Sequence, residues 1–329
     1  ATEVAVGDSG TFPSSGQVNS GQVKLLFTRP GSPKIELDEN MLGGGSISGL
    51  LRFNNTDLAE GRNLLGRMAL AIGRSLNYQQ CMGLTLDGEK GKPLFSEPKS
   101  ALGYTSGIAE GIIDFQTPLG TSQFAASDYE VRFTSPPGGQ IIRLSDGTTT
   151  NVSDFTDPAG VMMDGLTFKF TAAGTLNERV LFKPFADAAA NIQALVYSPR
   201  DLAAANPINA AMSPSNGGTL QLAGLQATGD HWDPATSKVV GTGVVNPPPP
   251  GRVTLTYTDG PPAGFTINGT LDRPLNIPPP APYTPGTTIV PYTPGQPIRI
   301  DGWSINLKGS PKAGDTVTIG NAKDAQYGD

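Results

Sequence analysis

Cysteine, histidine and charge are all scarce in this chain. Its 329 residues include one cysteine, Cys81, and one histidine, His231. A lone cysteine excludes an internal disulfide framework. Cys81 reads as a small residue buried at a helix end rather than a nucleophile, because its sole histidine partner would have to come from far along the chain. With neither a His pair nor a Cys pair, zinc has no soft ligand set. Calcium has no twelve-residue loop of Asp and Asn ligands closing on Glu, and TLDGEKGK brings only Asp87 and Glu89 close together. His231 lies in TGDHWDP beside Asp230 and Asp233, yet no Gly-x-Ser-x-Gly turn accompanies it. That segment reads as a surface turn next to a half-buried Trp232. Asp154 and Asp157 lie in a Gly/Pro/Ser-rich turn, where solvated acids are the default. No catalytic, cofactor-binding or metal-binding residue is therefore expected, and no cofactor. Charged residues make up 16% of the chain, the net charge is −6, and no Lys/Arg run occurs. Nucleic-acid binding and attachment to an anionic membrane have no electrostatic support. No run approaches 18 consecutive apolar residues, so no helix is expected to span a bilayer. The first residues, ATEVAVGDSG, do not read as a secretory signal peptide.

What is abundant is glycine (42) and proline (30), alongside 37% hydrophobic residues. This combination predicts many turns around genuine apolar cores, in two or three domains. One segment stands apart, TDLAEGRNLLGRMALAIGRSLNYQQCM at 56–82. Leu58, Leu65, Met68, Ala69, Ile72 and Leu76 fall within an arc of roughly 100° on a helix, a single apolar stripe. Arg62, Arg67 and Arg74 lie off it and are expected on a solvated face. Asp57 with Glu60 predicts a capping box, and Gly83 a stop. Gly61, Gly66 and Gly73 each weaken the helix by roughly 1 kcal/mol but permit close approach. Such a helix has to lay its stripe on a partner. Upstream, GGGS at 43–46 lacks the Lys-Ser/Thr ending of a phosphate loop and leads into ISGLLRF, a first short helix ending before Asn54–Asn55.

The remainder reads as strand. GQVKLLFTR and KIEL precede the helix. GIAEGIIDF, YEVRF, GQIIRL, LTFKF and RVLFKP follow it with period-2 spacing, and NIQALVY is expected to close that unit as a strand. PRDLAAA begins as a helical turn with Pro199 in its first turn. A second β stretch comprises GTLQLAG, SKVVGTGVV, RVTLTYT, GFTING, PIRI, WSINL and DTVTIG. The two stretches resemble each other: DGLTFKFTAAGTLNERVLF at 164–182 aligns with DGWSINLKGSPKAGDTVTI at 301–319. YEVRFTSPPGG at 129–139 likewise echoes VTLTYTDGPPAG at 253–264. A duplicated β module is expected. Half of the prolines lie between Pro247 and Pro297, and PYTPG occurs twice there. These read as stiff edge and loop segments that block strand pairing, or alternatively as a polyproline II ligand. Asn54, Asn151 and Asn268 match the N-glycosylation pattern with little weight.

The segment 43–95 resembles the hook-associated protein 1 family of the bacterial flagellum, the first hook–filament junction protein. Gly49, Leu50, Leu51 and Phe53 occupy the family's Gly-Gly-Leu-Leu-x-Phe positions. Arg62, Asn63, Leu65, Gly66, Met68 and Ala69 follow its Arg-Asn-x-Leu-Gly-x-Leu-Ala helix. Asn77, Gln79, Asp87, Gly88 and Phe95 continue the pattern. Leu76, Gln80 and Leu94 depart from its Phe, His and aromatic. ASDYEVRF, DGLTF and LFKPFADAAANI resemble the family's first outer β domain, and the chain beyond Pro207 an extra β domain of longer members. The resemblance implies a mixed, mainly β fold: an incomplete α-helical rod-domain segment over 1–90, a first outer β domain over 91–198 and a second, inserted one over 199–329. The family's heptad-patterned terminal helices are not in the chain, so it reads as a fragment whose stripe is partly covered by 1–53 and otherwise exposed. The implied role is a structural adaptor joining hook to filament, extracellular, without catalysis and exported without a cleaved signal peptide. Implied partners are other copies in a ring at the junction, hook protein, the second junction protein and an export chaperone, with no nucleic acid and no membrane. The alternative is an extracellular β-sandwich adhesin or carbohydrate-binding module, with Trp232, Trp303, Tyr283 and Tyr292 as its exposed aromatics.

Overall fold

The computed structural model describes residues 3–8, 23–31, 35–37, 39–105, 107–115, 122–233, 238–241, 253–269, 273–278, 281–300 and 302–322. The chain forms two compact units, one from residues 1–74 and 96–193, the other from 75–95 and 194–329. The division falls inside the long helix, so residues 75–90 group with the later strands.

The first unit opens with an antiparallel sheet of β1 (Glu3–Asp8), β2 (Val23–Thr28) and β3 (Ile35–Leu37), with β2 in the middle. The run EVAVGD is too short to announce β1 by its alternation. Gly43, Gly44 and Gly45 follow with φ of 65°, 123° and 94°. Only glycine takes up these conformations cheaply, so GGGS shapes the turn into helix α1 (Ser46–Arg52). The helix does not stop at Asn54–Asn55. A π-helical turn over Phe53–Asp57 carries it into α2 (Leu58–Met82), with the Leu58 amide donating to the Phe53 carbonyl. Asp57 therefore lies within continuous helix, and the expected capping box with Glu60 does not begin α2. Asn55 is kept for another task. Its side-chain oxygen accepts from the Val23 amide (2.8 Å) and its Nδ2 donates to the Val23 carbonyl (2.8 Å), pairing with β2 as a neighbouring strand would.

The rest of this unit is β4 (Ser100–Thr105), β5 (Glu110–Asp114), β6 (Tyr129–Ser135), β7 (Gly138–Arg143), β8 (Thr149–Val152), β9 (Val161–Met163), β10 (Leu166–Ala172) and β11 (Arg179–Phe182). They form one antiparallel sheet in the order β8-β7-β6-β11-β4-β5-β10-β9. SALGYT shows little alternation, which hides β4 in the sequence. Gly103 sits where an added Cβ would meet Val180 Cγ1 at 2.5 Å, so larger side chains from β11 fill its space. Inward positions are aromatic: Tyr129, Phe133, Phe155, Phe168, Phe182 and Phe185 are fully buried. Phe133 meets Phe170 edge-on at 5.4 Å and Phe168 meets Phe182 at 5.4 Å, a preferred ring geometry. Glu130 is buried within this sheet and paired to Arg179 and Arg132. Burial opposes its charge, but the two guanidinium groups outweigh that and hold its carboxyl below the usual range. NIQALVY does not form the expected strand. A short helix α3 (Ala188–Asn191) runs into it, leaving one bridge between Phe95 and Ala194.

The second unit contains β12 (Ile208–Met212), β13 (Gln221–Ala227), β14 (Asp230–Asp233), β15 (Lys238–Gly241), β16 (Val253–Thr258), β17 (Gly264–Asn268), β18 (Ile289–Pro291), β19 (Pro297–Ile300), β20 (Trp303–Lys308) and β21 (Thr316–Asn321). One sheet runs β12-β21-β16-β17-β18, another β13-β20-β19, and β14 pairs β15. Leu255, Phe265, Ile267, Trp303, Ile305 and Val317 form the core. Pro291 and Pro297 lie on β18 and β19, both edge strands, where a missing amide costs no ladder bond. Pro247–Pro250 and Pro279–Pro280 lie outside the described residues.

The duplication is visible in the pairing. Strands β8-β7-β6-β11-β4 of the first unit correspond to β18-β17-β16-β21-β12 of the second, and β9-β10-β5 to β19-β20-β13. Both β6–β7 and β16–β17 turn through a cis Pro-Pro, Pro136-Pro137 and Pro261-Pro262. Removing a fully buried ring tests the first core. Phe168→Ala is expected to cost about 3–5 kcal/mol in urea unfolding followed by circular dichroism. Leu102→Ala, at a position 70% exposed on β4, should change stability by no more than about 0.5 kcal/mol.

Candidate assembly surface

Helix α2 has two faces of unlike chemistry, and the apolar one is not the one turned inward. Between Asn63 and Gln80 the buried positions are Asn63, Gly66, Leu70, Gly73, Arg74, Asn77 and Gln80. At about 100° per residue they centre about 120° away from the Leu58–Leu76 stripe. Along that stripe Leu65 is 61% exposed, Met68 56%, Ile72 54% and Leu76 42%, while Leu58 and Ala69 are half-buried. Ile47, Leu50 and Phe53 are also exposed on α1 and the π turn. Arg74, expected on a solvated face, is instead buried beside Glu97 at 3.6 Å. Burial pushes its guanidinium pKa down, against the raising effect of Glu97 and Asp114.

Amides and glycines do much of the inward packing, because at these positions the helix lies close against neighbouring connecting segments. In the first unit, a Cβ added to Gly66 would stand 1.8 Å from the Phe185 carbonyl oxygen. Asn63 Nδ2 donates to Asp128 Oδ1 (3.0 Å). Burial raises the Asp128 pKa, against Lys183 and the Asn63 hydrogen bond. Leu70 is the helix residue that joins the aromatic core. In the second unit, Asn77 accepts from the Leu94 and Phe95 amides (2.8 and 2.9 Å) and donates to the Phe95 carbonyl (2.8 Å). Gln80 donates to the Asp201 carbonyl (2.7 Å) and accepts from the Ala203 amide (3.1 Å). Tyr78 donates to the Thr228 carbonyl (2.9 Å). The Asn77 and Gln80 side chains supply partners to main-chain groups of the neighbouring connections. The spacing of Asn63, Asn77 and Gln80 is in the sequence, but hydropathy gives polar residues no credit for burial.

The remaining sequence candidates occupy structural roles. Asp154 accepts from the Thr156 amide and hydroxyl, and Asp157 from the Ala159 amide, as turn-forming acids do. Asp87 pairs with Arg200. His231 and Trp232 are half-buried on β14, and Cys81 is half-buried near the end of α2. The aromatic platform of an adhesin does not form as expected. Trp303 is 1% exposed, and Tyr292 packs edge-on against Phe265 at 5.3 Å and donates to the Gly309 carbonyl. Tyr283 packs on the same core. The recess beside α2 lined by Leu70, Gly73, Glu97 and Ala188 has room for little more than a water molecule. Among the described residues, no group of three or more His, Cys, Asp or Glu is placed to hold a metal. None of their helices is long and apolar enough to cross a membrane.

Two glycines separate packing from propensity on the same helix. Gly61 has open space around it, so Gly61→Ala is expected to stabilise by about 0.5–1 kcal/mol. Gly66→Ala drives a methyl into the Phe185 carbonyl and should destabilise by about 1–3 kcal/mol. Thermal melts of the two variants should therefore move in opposite directions.

Residues 5–95 match the family described as the flagellar hook-associated protein FlgK helical domain. Flagellar hook-associated protein 1 of Escherichia coli is 31% identical over 185 residues, 56% of this chain and 33% of the relative. Its counterpart in Salmonella typhimurium is 30% identical over 183 residues, 55% of this chain and 33% of the relative. The chain thus spans about a third of the length of these curated relatives. The flagellar hook junction protein FlgK from Burkholderia pseudomallei superposes with a TM-score of 0.64 at 21% identity, over 98% of this chain and 58% of that one. The buried Asn63, Gly66, Asn77 and Gln80 lie inside the matched helical segment. In sequence over slightly more than half its length, and in fold over nearly all of it, this chain is similar to the flagellar hook-associated protein at the hook junction.

Proposed function

We propose that the chain is part of a structural adaptor joining hook to filament in the bacterial flagellum, acting by self-assembly and without catalysis. One observation carries this reading: α2 turns Asn63, Asn77 and Gln80 inward onto partners within the chain and leaves Leu65, Met68, Ile72 and Leu76 exposed. Burying the six side chains of the stripe is worth on the order of 10 kcal/mol before ordering entropy is counted. A contiguous apolar strip of that kind on a folded protein marks a contact surface. In this reading residues 1–90 contribute a helical rod segment, and 91–198 and 199–329 are outer β domains. Leu58, Leu65, Met68, Ala69, Ile72 and Leu76 form the assembly stripe. Partners are further copies in a ring, hook protein and the second junction protein, with an export chaperone before assembly in the extracellular flagellum.

Polar substitution of the stripe should separate folding from assembly. Leu65→Asp with Ile72→Asp is expected to leave the circular dichroism spectrum unchanged and shift the melting temperature by no more than about 3 °C, since both sites are exposed. A strain lacking the gene, complemented with the full-length protein carrying both changes, should show hooks without filaments by electron microscopy. Filaments of normal number and length would overturn the proposal.

A further inference from the structure

Two buried carboxylates stand at matching places in the two β units and organise the same turn. Glu178 is 5% exposed and Asp315 3%. Each immediately precedes a central strand, β11 and β21. Glu178 accepts from the Ala109 amide (2.6 Å), the Thr175 amide (2.8 Å) and the hydroxyls of Thr105 (2.8 Å) and Thr175 (3.1 Å). Asp315 accepts from the amides of Gly217 (2.7 Å), Gly218 (3.0 Å) and Lys312 (2.9 Å). In both units one amide comes from three residues earlier in the carboxylate's own turn. The other amides come from the connection between β4 and β5 or between β12 and β13.

The surrounding backbone repeats as well. Phe133 N donates to the Glu178 carbonyl (3.0 Å) and Tyr257 N to that of Asp315 (2.9 Å). Asn177 N donates to the Phe133 carbonyl (2.7 Å) and Gly314 N to that of Tyr257 (2.9 Å). Asn177 and Gly314 share a left-handed conformation, φ 67° and 89°. Glycines cradle both groups: a Cβ on Gly107 would fall 2.5 Å from Glu178 Cδ, and one on Gly218 2.6 Å from Asp315 Oδ2.

We propose that Glu178 and Asp315 are a duplicated acid-release device. Ionised, each clasps the β4–β5 or β12–β13 connection against its turn; protonated, each lets that connection go while the strands stay paired. A carboxylate that accepts only from amides and hydroxyls loses acceptor capacity when it gains a proton. No charged side chain is among the groups acting on Glu178, whose surroundings are Thr105, Gly107, Ala109, Gly174, Thr175 and the end of β6. Asp315 faces one, the Lys312 ammonium of its own turn, with Gly217, Gly218 and the Tyr257 backbone on its other sides. Burial works to raise the Glu178 pKa, but the donors outweigh it and the carboxyl lies below the usual range. For Asp315 the Lys312 amide has the largest effect, and it too is lowered. Groups lowered on folding contribute stability above the unfolded carboxylate value of about 4 and lose it as pH falls through the folded value. The release window is thus below about pH 4.

Hydrogen exchange of the full chain, followed amide by amide on acidification, tests this. With intrinsic rates corrected, Ala109, Thr175, Gly217, Gly218 and Lys312 should lose protection by up to about tenfold for each pH step of one as pH falls from the unfolded carboxylate value of about 4 to the folded value, and level off below it, while β6 and β16 stay protected. Glu178→Gln should abolish the response at Ala109 and Thr175 alone, and Asp315→Asn the response at Gly217, Gly218 and Lys312 alone. Should a variant not fold, the wild-type profile decides. Loop amides that stay protected until the core strands exchange, or one variant altering both turns, would overturn the proposal.

Discussion

Among the described residues, helix α2 buries its amide and glycine face and leaves most of its apolar stripe exposed, and much of the protein's character follows from that choice. The choice is unusual for a surface helix, which ordinarily hides its apolar stripe. Here the inward face carries Asn63, Gly66, Gly73, Asn77 and Gln80. Its energy comes from side-chain amides matched to hydrogen-bond partners, most of them main-chain groups, and from glycines that bring the helix backbone close. Each such bond contributes about 0.5–1.5 kcal/mol net, but leaving one partner unmade in the interior costs more. The arrangement is therefore selective as well as stabilising. It also releases the leucine, methionine and isoleucine side chains for contact with something else.

The β units supply the rigidity that makes such a helix possible. Rings from β6, β10 and β11 interlock edge to face, and Leu70 enters that cluster from the helix. The second unit repeats the pairing scheme with aliphatic residues and Trp303 in place of most phenylalanines. Retention of the cis Pro-Pro turn and of an acid before the last strand shows what the two copies hold in common: turn geometry and main-chain satisfaction, rather than core identity. A core tolerates exchange of apolar side chains of suitable volume, whereas a carboxylate holding several amides has few substitutes.

Periodicity and turn chemistry make much of this legible in the residues. The apolar stripe, most strands, the duplicated segments and the edge-strand prolines can be read from spacing alone. The positions that mislead share a cause, which is that local rules do not see distant partners. Asp57 reads as a helix start because capping rules do not register a π turn that joins two helices. Arg74 reads as solvated because charge usually is. β4 is hidden because Gly103 has no side chain to reveal alternation, and NIQALVY satisfies a strand pattern that α3 pre-empts.

The residues by themselves determined that this chain has a helix with one apolar stripe and sheets with apolar interiors, because these follow from periodicity and composition. Tertiary structure alone decided that the stripe faces solvent and the amides face inward. Burial of an Asn or Gln is favourable only where partners stand at hydrogen-bond distance, and those partners, at Phe95, Asp201 and Ala203, are set by the fold rather than by anything local to the helix.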